Sequence, residues 1–153
     1  MSLDKFFTRE TSNKGIELPL PLPNGMPSGD HLVVVGKWSD TFRTEEAEMK
    51  REAVQAASKY QDDKVKRAKA MREIEIKFVS SLVTGWSFDV EFNQKNVQKL
   101  LFNAPQIMEL VDKAVVNDSL FFGKPSIGSS STQEPTSNST ESQKDQKDPQ
   151  DNI

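Results

Sequence analysis

The feature that most restricts the fold is a run of 43 residues, 41–83, that contains neither proline nor glycine. The run is rich in Glu, Lys, Ala, Arg and Gln, which are good helix formers, and one unbroken helix would span about 65 Å at 1.5 Å per residue. Polar residues such as Gln61 and Lys64 interrupt both heptad rows, so a long coiled coil is poorly supported. The run predicts a long charged helix, and whether it is continuous or broken within residues 58–63 stays open.

Apolar residues concentrate in the following stretch, 73–122, which we expect to form most of the core. Ile74, Phe78 and Leu82 recur at helical spacing and give the end of the long helix one apolar face. Gly85 is expected to terminate this helix, because glycine adopts the left-handed conformation of a C-terminal cap without strain.

Shorter elements are predicted after this helix. Apolar and polar residues alternate over 86–92, which predicts an extended segment. Asn93 is a suitable N-cap for one helix, and Pro105 suits the first turn of the next. Residues 120–122, Leu-Phe-Phe, are expected to fold back onto the body as an anchor.

The N-terminal third predicts a small β-hairpin. Residues 16–23 carry three alternating prolines, which remove backbone donors and restrict this segment to an edge strand or a polyproline-like conformation. Turn-forming residues follow at 24–30, and the Leu-Val-Val-Val sequence at 32–35 favours a second strand. A proline-rich ligand for an SH3-like domain is the alternative for residues 19–23.

Three regions result from these patterns. Residues 1–15 are polar and without clear periodicity, so we expect a flexible N-terminus. Residues 16–122 are expected to form a mainly α domain, with the hairpin, the long charged helix and a compact set of shorter helices. Residues 123–153 are almost devoid of apolar side chains and cannot bury enough surface to offset their ordering entropy, which predicts a disordered tail.

Truncation after Lys124 is therefore expected to leave the folding of the body unchanged. The predicted tail contributes almost no apolar surface, so its removal costs no core packing. Thermal melting of the full-length and truncated chains checks this expectation. A clear loss of cooperativity, or a midpoint many degrees lower, would show that the tail packs on the body.

Composition argues against several functions. The chain has no cysteine, one histidine (His31) and a formal net charge of −3, and it has no apolar run near the ~20 residues of a membrane span. We therefore expect no catalytic residues, cofactor or metal, and no binding to nucleic acid or membrane. The basic cluster at residues 64–72 could mark a DNA-associated protein, but it lacks interleaved aromatic residues and is better interpreted as a solvated helix face.

Several motifs nevertheless resemble a known family. Gly85-Trp86 is followed by a phenylalanine and an Asn-Val pair, then by Leu100-Leu101 and Pro105. Upstream, the predicted hairpin with its prolines and glycines is followed by the sequence GKWSDTFR at 36–43, where the long helix begins. In this order of features, residues 16–122 resemble a tail assembly chaperone of tailed bacteriophages. The compact acidic link at 87–91 and the Ser/Thr/Gln-rich tail depart from the family pattern.

The resemblance implies a non-enzymatic protein of the infected host cytoplasm that is absent from the mature virion. It implies binding to the tape measure protein and recruitment of tail tube subunits, with the major tail tube protein as a second partner. A structural protein retained in a virion or another assembly is the alternative, and a homo-oligomer is left open.

The apolar faces of residues 73–122 supply the predicted partner-binding residues, because a mostly helical body with such faces suits the capture of another helix. These residues are Trp86, Phe92, Val97, Leu100, Leu101, Ile107, Met108 and Val111.

Overall fold

The computed structural model describes residues 1–123. After a short 3-10 helix at Leu3–Phe6, its elements are α1 (Arg9–Lys14), β1 (Ile16–Pro21), β2 (Pro27–Val34), α2 (Asp40–Lys59), α3 (Lys64–Ser81), β3 (Val83–Trp86), α4 (Gln94–Asn103), α5 (Pro105–Val115) and α6 (Asp118–Phe122). The predicted mainly helical class with an N-terminal hairpin is confirmed. Apart from Gly123, the tail predicted to be disordered lies outside the described residues.

The sheet begins as the predicted hairpin and gains a third strand. β1 and β3 both pair antiparallel with β2, in the order β1-β2-β3. Pro19 and Pro21 lie in the edge strand β1, where their missing N–H groups cost least. In the turn, Gly25 has a φ of 90° and donates its N–H to the carbonyl of Leu22 at 2.8 Å.

The prediction that Gly85 caps the preceding helix is wrong. Helix α3 ends at Ser81, and the next residue, Leu82, donates its N–H back to the carbonyl of Val79. Gly85 instead lies within β3, opposite Val33, and does not have a positive φ. The extended segment predicted for 86–92 is also wrong: the strand is β3, Val83–Trp86, which ends where its pairing with β2 ends, and residues 87–92 form a loop.

The glycine-free run folds into two helices, which settles the alternative left open by the sequence. A turn at residues 60–63 separates α2 from α3. Asp63 caps α3 by accepting the Lys66 N–H at 3.1 Å, and Arg67 donates to the carbonyl of Gln61 at 3.0 Å. The turn is therefore fixed by its own Asp63 and by Arg67 of the second helix.

The four-residue turn at 60–63 folds α3 back along α2, so the two helices form a helical hairpin. Near the open end of this helical hairpin, the rings of Phe42 and Phe78 meet edge to face with centroids 5.4 Å apart. Further along, Lys77 Nζ lies 2.8 Å from Glu52 Oε2. One side chain of α2, that of Ala56, is buried, so the outer half of the hairpin has little core of its own.

The N-terminal residues include a helix, α1, that the sequence does not predict. This helix is held against the start of α2, where Arg9 Nε lies 2.8 Å from Asp40 Oδ1 and the Asp40 N–H donates to Asn13 Oδ1 at 2.8 Å. The hydrogen bond from Arg9 lowers the pKa of the Asp40 carboxyl below its ordinary value. Ser12 is fully buried. No periodicity signals this helix, because its partner lies about 30 residues away.

The core fills the space between the sheet and helices α3, α4 and α5. Its fully or nearly fully buried large side chains come from every one of these elements: Leu18, Leu20, Leu32, Val34, Val35, Ile76, Val79, Leu82, Val83, Val97, Leu101, Ile107, Val111 and Val115. Phe121 of α6 packs against this core, as predicted for the closing segment, whereas Leu120 and Phe122 remain exposed.

Candidate protein-binding groove

Trp86 organises the link between β3 and α4. Its ring meets Phe88 and Phe92 edge to face, with centroid distances of 5.2 and 5.3 Å. Its indole Nε1–H donates to the carbonyl of Val90 at 2.9 Å. The link therefore wraps around one half-buried aromatic side chain, and each of these contacts restricts the conformation of the loop.

Both ends of this loop are fixed by hydrogen bonds. On the strand side, Ser87 donates its N–H to the carbonyl of His31 at 3.0 Å. On the helix side, Asn93 is the predicted N-cap of α4 and accepts the Asn96 N–H at 2.8 Å. The side-chain amide of Asn96 in turn donates to the carbonyl of Glu91 at 2.8 Å. The loop is thereby positioned against the first turn of α4.

A groove of about 630 Å³ lies between this loop and α4. It is lined by Trp86, Phe88, Asp89, Val90, Asn96, Lys99, Leu100 and Asn103, and we call it the Trp86 groove. The four residues from α4 recur at i, i+3, i+4 and i+7, so they form one face of that helix. Val90 is 59% exposed although it is aliphatic. The groove is an open and largely apolar surface with two charged side chains, Asp89 and Lys99.

A second, smaller groove of about 310 Å³ lies on the other side of α4. Lys99 and Asn103 line both grooves, and Phe102, which is 60% exposed, lines the smaller one. Glu73 and Lys95 also lie along it. Helix α4 therefore presents apolar side chains to solvent on both flanks.

The predicted partner-binding residues divide into three groups. Trp86 and Leu100 line the groove, and Phe92 supports it by packing on the Trp86 ring. Met108 is half-buried against the core and lies outside the groove. The other four are core residues that no partner can reach in this conformation: Val97, Leu101, Ile107 and Val111.

Sequence reasoning missed all four charged or amide residues that line the groove and two of its apolar residues. The alternation over 86–92 predicts a strand face for Phe88 and Val90, although the structure places them in the loop. Asn96, Lys99 and Asn103 share the helical spacing of Leu100, so the periodicity of α4 could have identified them. Apolar periodicity alone selects the opposite, buried face of the helix, because these three side chains are polar.

The single histidine of the chain, His31, lies in strand β2. His31 is half-buried, and its Nε2 lies 3.7 Å from an oxygen of Glu17. Within residues 1–123, no group of three or more His, Cys, Asp or Glu side chains could hold a metal ion. In the same part of the chain, no helix has the length and apolar character needed to cross a membrane.

Comparison with known proteins supports the assignment of the chain to a family. No match was found among curated proteins or among solved structures. The model of one family, described as phage tail assembly chaperone, matches residues 25–118. The match covers more than half of the 153 residues and includes the whole Trp86 groove. The chain therefore belongs to the phage tail assembly chaperone family.

Proposed function

We propose that the chain binds a helical segment of the tape measure protein in the Trp86 groove during tail assembly. The observation that carries the proposal is an exposed apolar groove on a member of a tail assembly chaperone family. An amphipathic helix docks into such a groove through apolar side chains at i, i+3, i+4 and i+7. Recruitment of tail tube subunits, including the major tail tube protein, belongs to the same proposal.

The dimensions of the groove support an occupant of this kind. Its α4 wall extends from Asn96 to Asn103, which is about 10 Å at 1.5 Å per residue, or about two turns of a docked helix. Phe88 and Val90 face this wall from the loop. Two turns present three or four anchor side chains, the number that helix-in-groove complexes commonly use.

The proposed setting is the cytoplasm of the infected host, where the chain acts without enzymatic activity and leaves the assembly before the virion is complete. Purified particles provide the test against the alternative of a retained structural protein. The chain is expected to be absent from them, and its presence at the stoichiometry of a tail component would favour the structural alternative.

Val90→Glu is expected to abolish or strongly weaken capture of the tape measure protein. The substitution places a charge in the apolar groove, where a bound partner would desolvate it. Val90 is 59% exposed, so the free protein is expected to fold normally. The measurement is co-expression with fragments of the tape measure protein, followed by pull-down at low and high salt.

Val116→Glu is the matched control, because Val116 is similarly exposed, at 51%, and lies outside both grooves. The wild type and this control are expected to retain the partner at high salt, since salt screens exposed charge pairs but does not weaken apolar burial. Failure of the wild type to capture any tape measure fragment would refute the proposal. Strongly salt-sensitive retention of DNA would instead favour a role for the basic cluster of α3.

A further inference from the structure

The N-terminal segment, Met1–Phe7, exposes apolar side chains that the rest of the domain does not cover. Leu3 is 76%, Phe6 71% and Phe7 65% exposed. The 3-10 helix at Leu3–Phe6 contains no buried residue. Three large apolar side chains within five positions are thus left in water, although each would gain stability by burial.

The 3-10 helix places the apolar and the charged side chains of the segment on different sides. In a 3-10 helix, residues three apart are eclipsed, so Leu3 and Phe6 lie on one side. Asp4 and Lys5 occupy the two other directions, and Asp4 accepts a hydrogen bond from Ser2 Oγ at 2.6 Å. The segment therefore combines an apolar ridge with one acidic and one basic flank.

The Trp86 groove has the complementary pattern. Its largely apolar lining includes one basic residue, Lys99, and one acidic residue, Asp89. Its α4 wall is about 10 Å long from Asn96 to Asn103, and the helix is about 6 Å long from Leu3 to Phe6 at 2.0 Å per residue. The ridge is therefore short enough to lie along this wall, and the charges allow Asp4 to pair with Lys99 while Lys5 pairs with Asp89.

The attachment of the segment favours a groove on another molecule. Thr8 alone separates the segment from α1, and α1 is fixed to Asp40 through Arg9 and Asn13. In this attached position the apolar side chains of the segment face solvent rather than the groove of their own chain. We propose that the N-terminal segment of one copy docks in the Trp86 groove of a second copy. This self-association does not depend on the tape measure contact, although both would use the same groove.

Sedimentation velocity of the full-length protein over a wide concentration range tests the proposal. The wild type is expected to associate, and Phe6→Ser is expected to raise the dissociation constant by about tenfold or more, because a buried aromatic contact is lost. Met26→Ser is the matched control, since Met26 is also exposed and apolar but lies in the hairpin turn. A wild type that stays monomeric, or equal effects of the two substitutions, would overturn the proposal.

Charge exchange tests the specific pairing. Lys99→Glu is expected to weaken self-association about three- to tenfold by facing Asp4 with a like charge, and the further change Asp4→Lys should restore it. Restored association supports the docking of the segment in this groove, and no restoration would refute the pairing. A tape measure fragment that binds the Phe6→Ser variant but not Val90→Glu supports the proposed function separately, whatever the outcome for self-association.

Discussion

Trp86→Ala is expected to lower the free energy of unfolding by about 3 kcal/mol, the usual order for truncating a large packed aromatic side chain. The substitution removes the edge-to-face contacts with Phe88 and Phe92 and leaves the Val90 carbonyl without its indole donor. Because these three contacts hold the loop against α4, the loop is expected to loosen and the groove to lose its shape.

Lys66→Ala is the comparison, since Lys66 is an exposed helical residue whose removal usually changes stability by within roughly 0.5 kcal/mol. Urea denaturation monitored by far-ultraviolet circular dichroism measures both variants without depending on tryptophan fluorescence. Trp86→Phe should fall between them, because it keeps a ring but loses the hydrogen bond to Val90. Equal midpoints for the alanine variants at Trp86 and Lys66 would show that the indole does not support the loop.

Features with a local chemical cause were predictable from sequence. Ser39 caps α2 by accepting the Phe42 N–H at 3.1 Å, as its hydroxyl and position suggest. Asn93 caps α4, and Pro105 occupies the first turn of α5. Each of the two capping side chains lies three residues before the N–H that it accepts, and Pro105 has no N–H at a position where the helix needs none, so in all three cases the cause is local.

Features that depend on distant partners were not predictable. The strand β3 is four residues long, and its pairing of Gly85 with Val33 spans 52 positions. Without knowledge of this pairing, a glycine that follows an apolar helix fits a C-terminal cap as well as it fits a strand. Helix α1 likewise depends on Asp40 for its attachment. Tertiary contacts determine both elements, and local propensity is too weak to reveal them.

The candidate groove was predicted in part, for a related reason. Periodicity shows that Val97 and Leu101 share a face, but it does not reveal whether the core or a partner covers that face. The structure assigns this face to the core and leaves Leu100 and its polar neighbours on the accessible side. The family was predicted correctly, since its motifs are local, whereas the tape measure contact stays a prediction.

Gly15→Ala is expected to destabilise the protein by about 2–5 kcal/mol, through backbone strain and a steric clash acting together. Gly15 joins α1 to β1 with φ 82° and ψ −179°, a conformation that is essentially restricted to glycine. A β-carbon there would lie 2.5 Å from the carbonyl oxygen of Val34, which is backbone and cannot rotate away. To relieve this clash, β1 must move away from β2 or α1 must detach. Either movement exposes buried residues.

Two other glycines separate the contributions of strain and clash. Gly25 has a φ of 90°, and a β-carbon at this position would have no neighbour within 4 Å. Gly25→Ala is therefore expected to lower the free energy of unfolding by the backbone strain alone, about 1–2 kcal/mol. Gly85 lacks a positive φ, and its β-carbon would make an ordinary contact with Val33 at 3.6 Å, so Gly85→Ala should be nearly neutral. Chemical denaturation of the three variants should therefore rank Gly15 as the most sensitive and Gly85 as the least. If Gly15→Ala were no worse than Gly25→Ala, the Val34 carbonyl would not restrict the junction, and the close approach of β2 to Gly15 would be refuted.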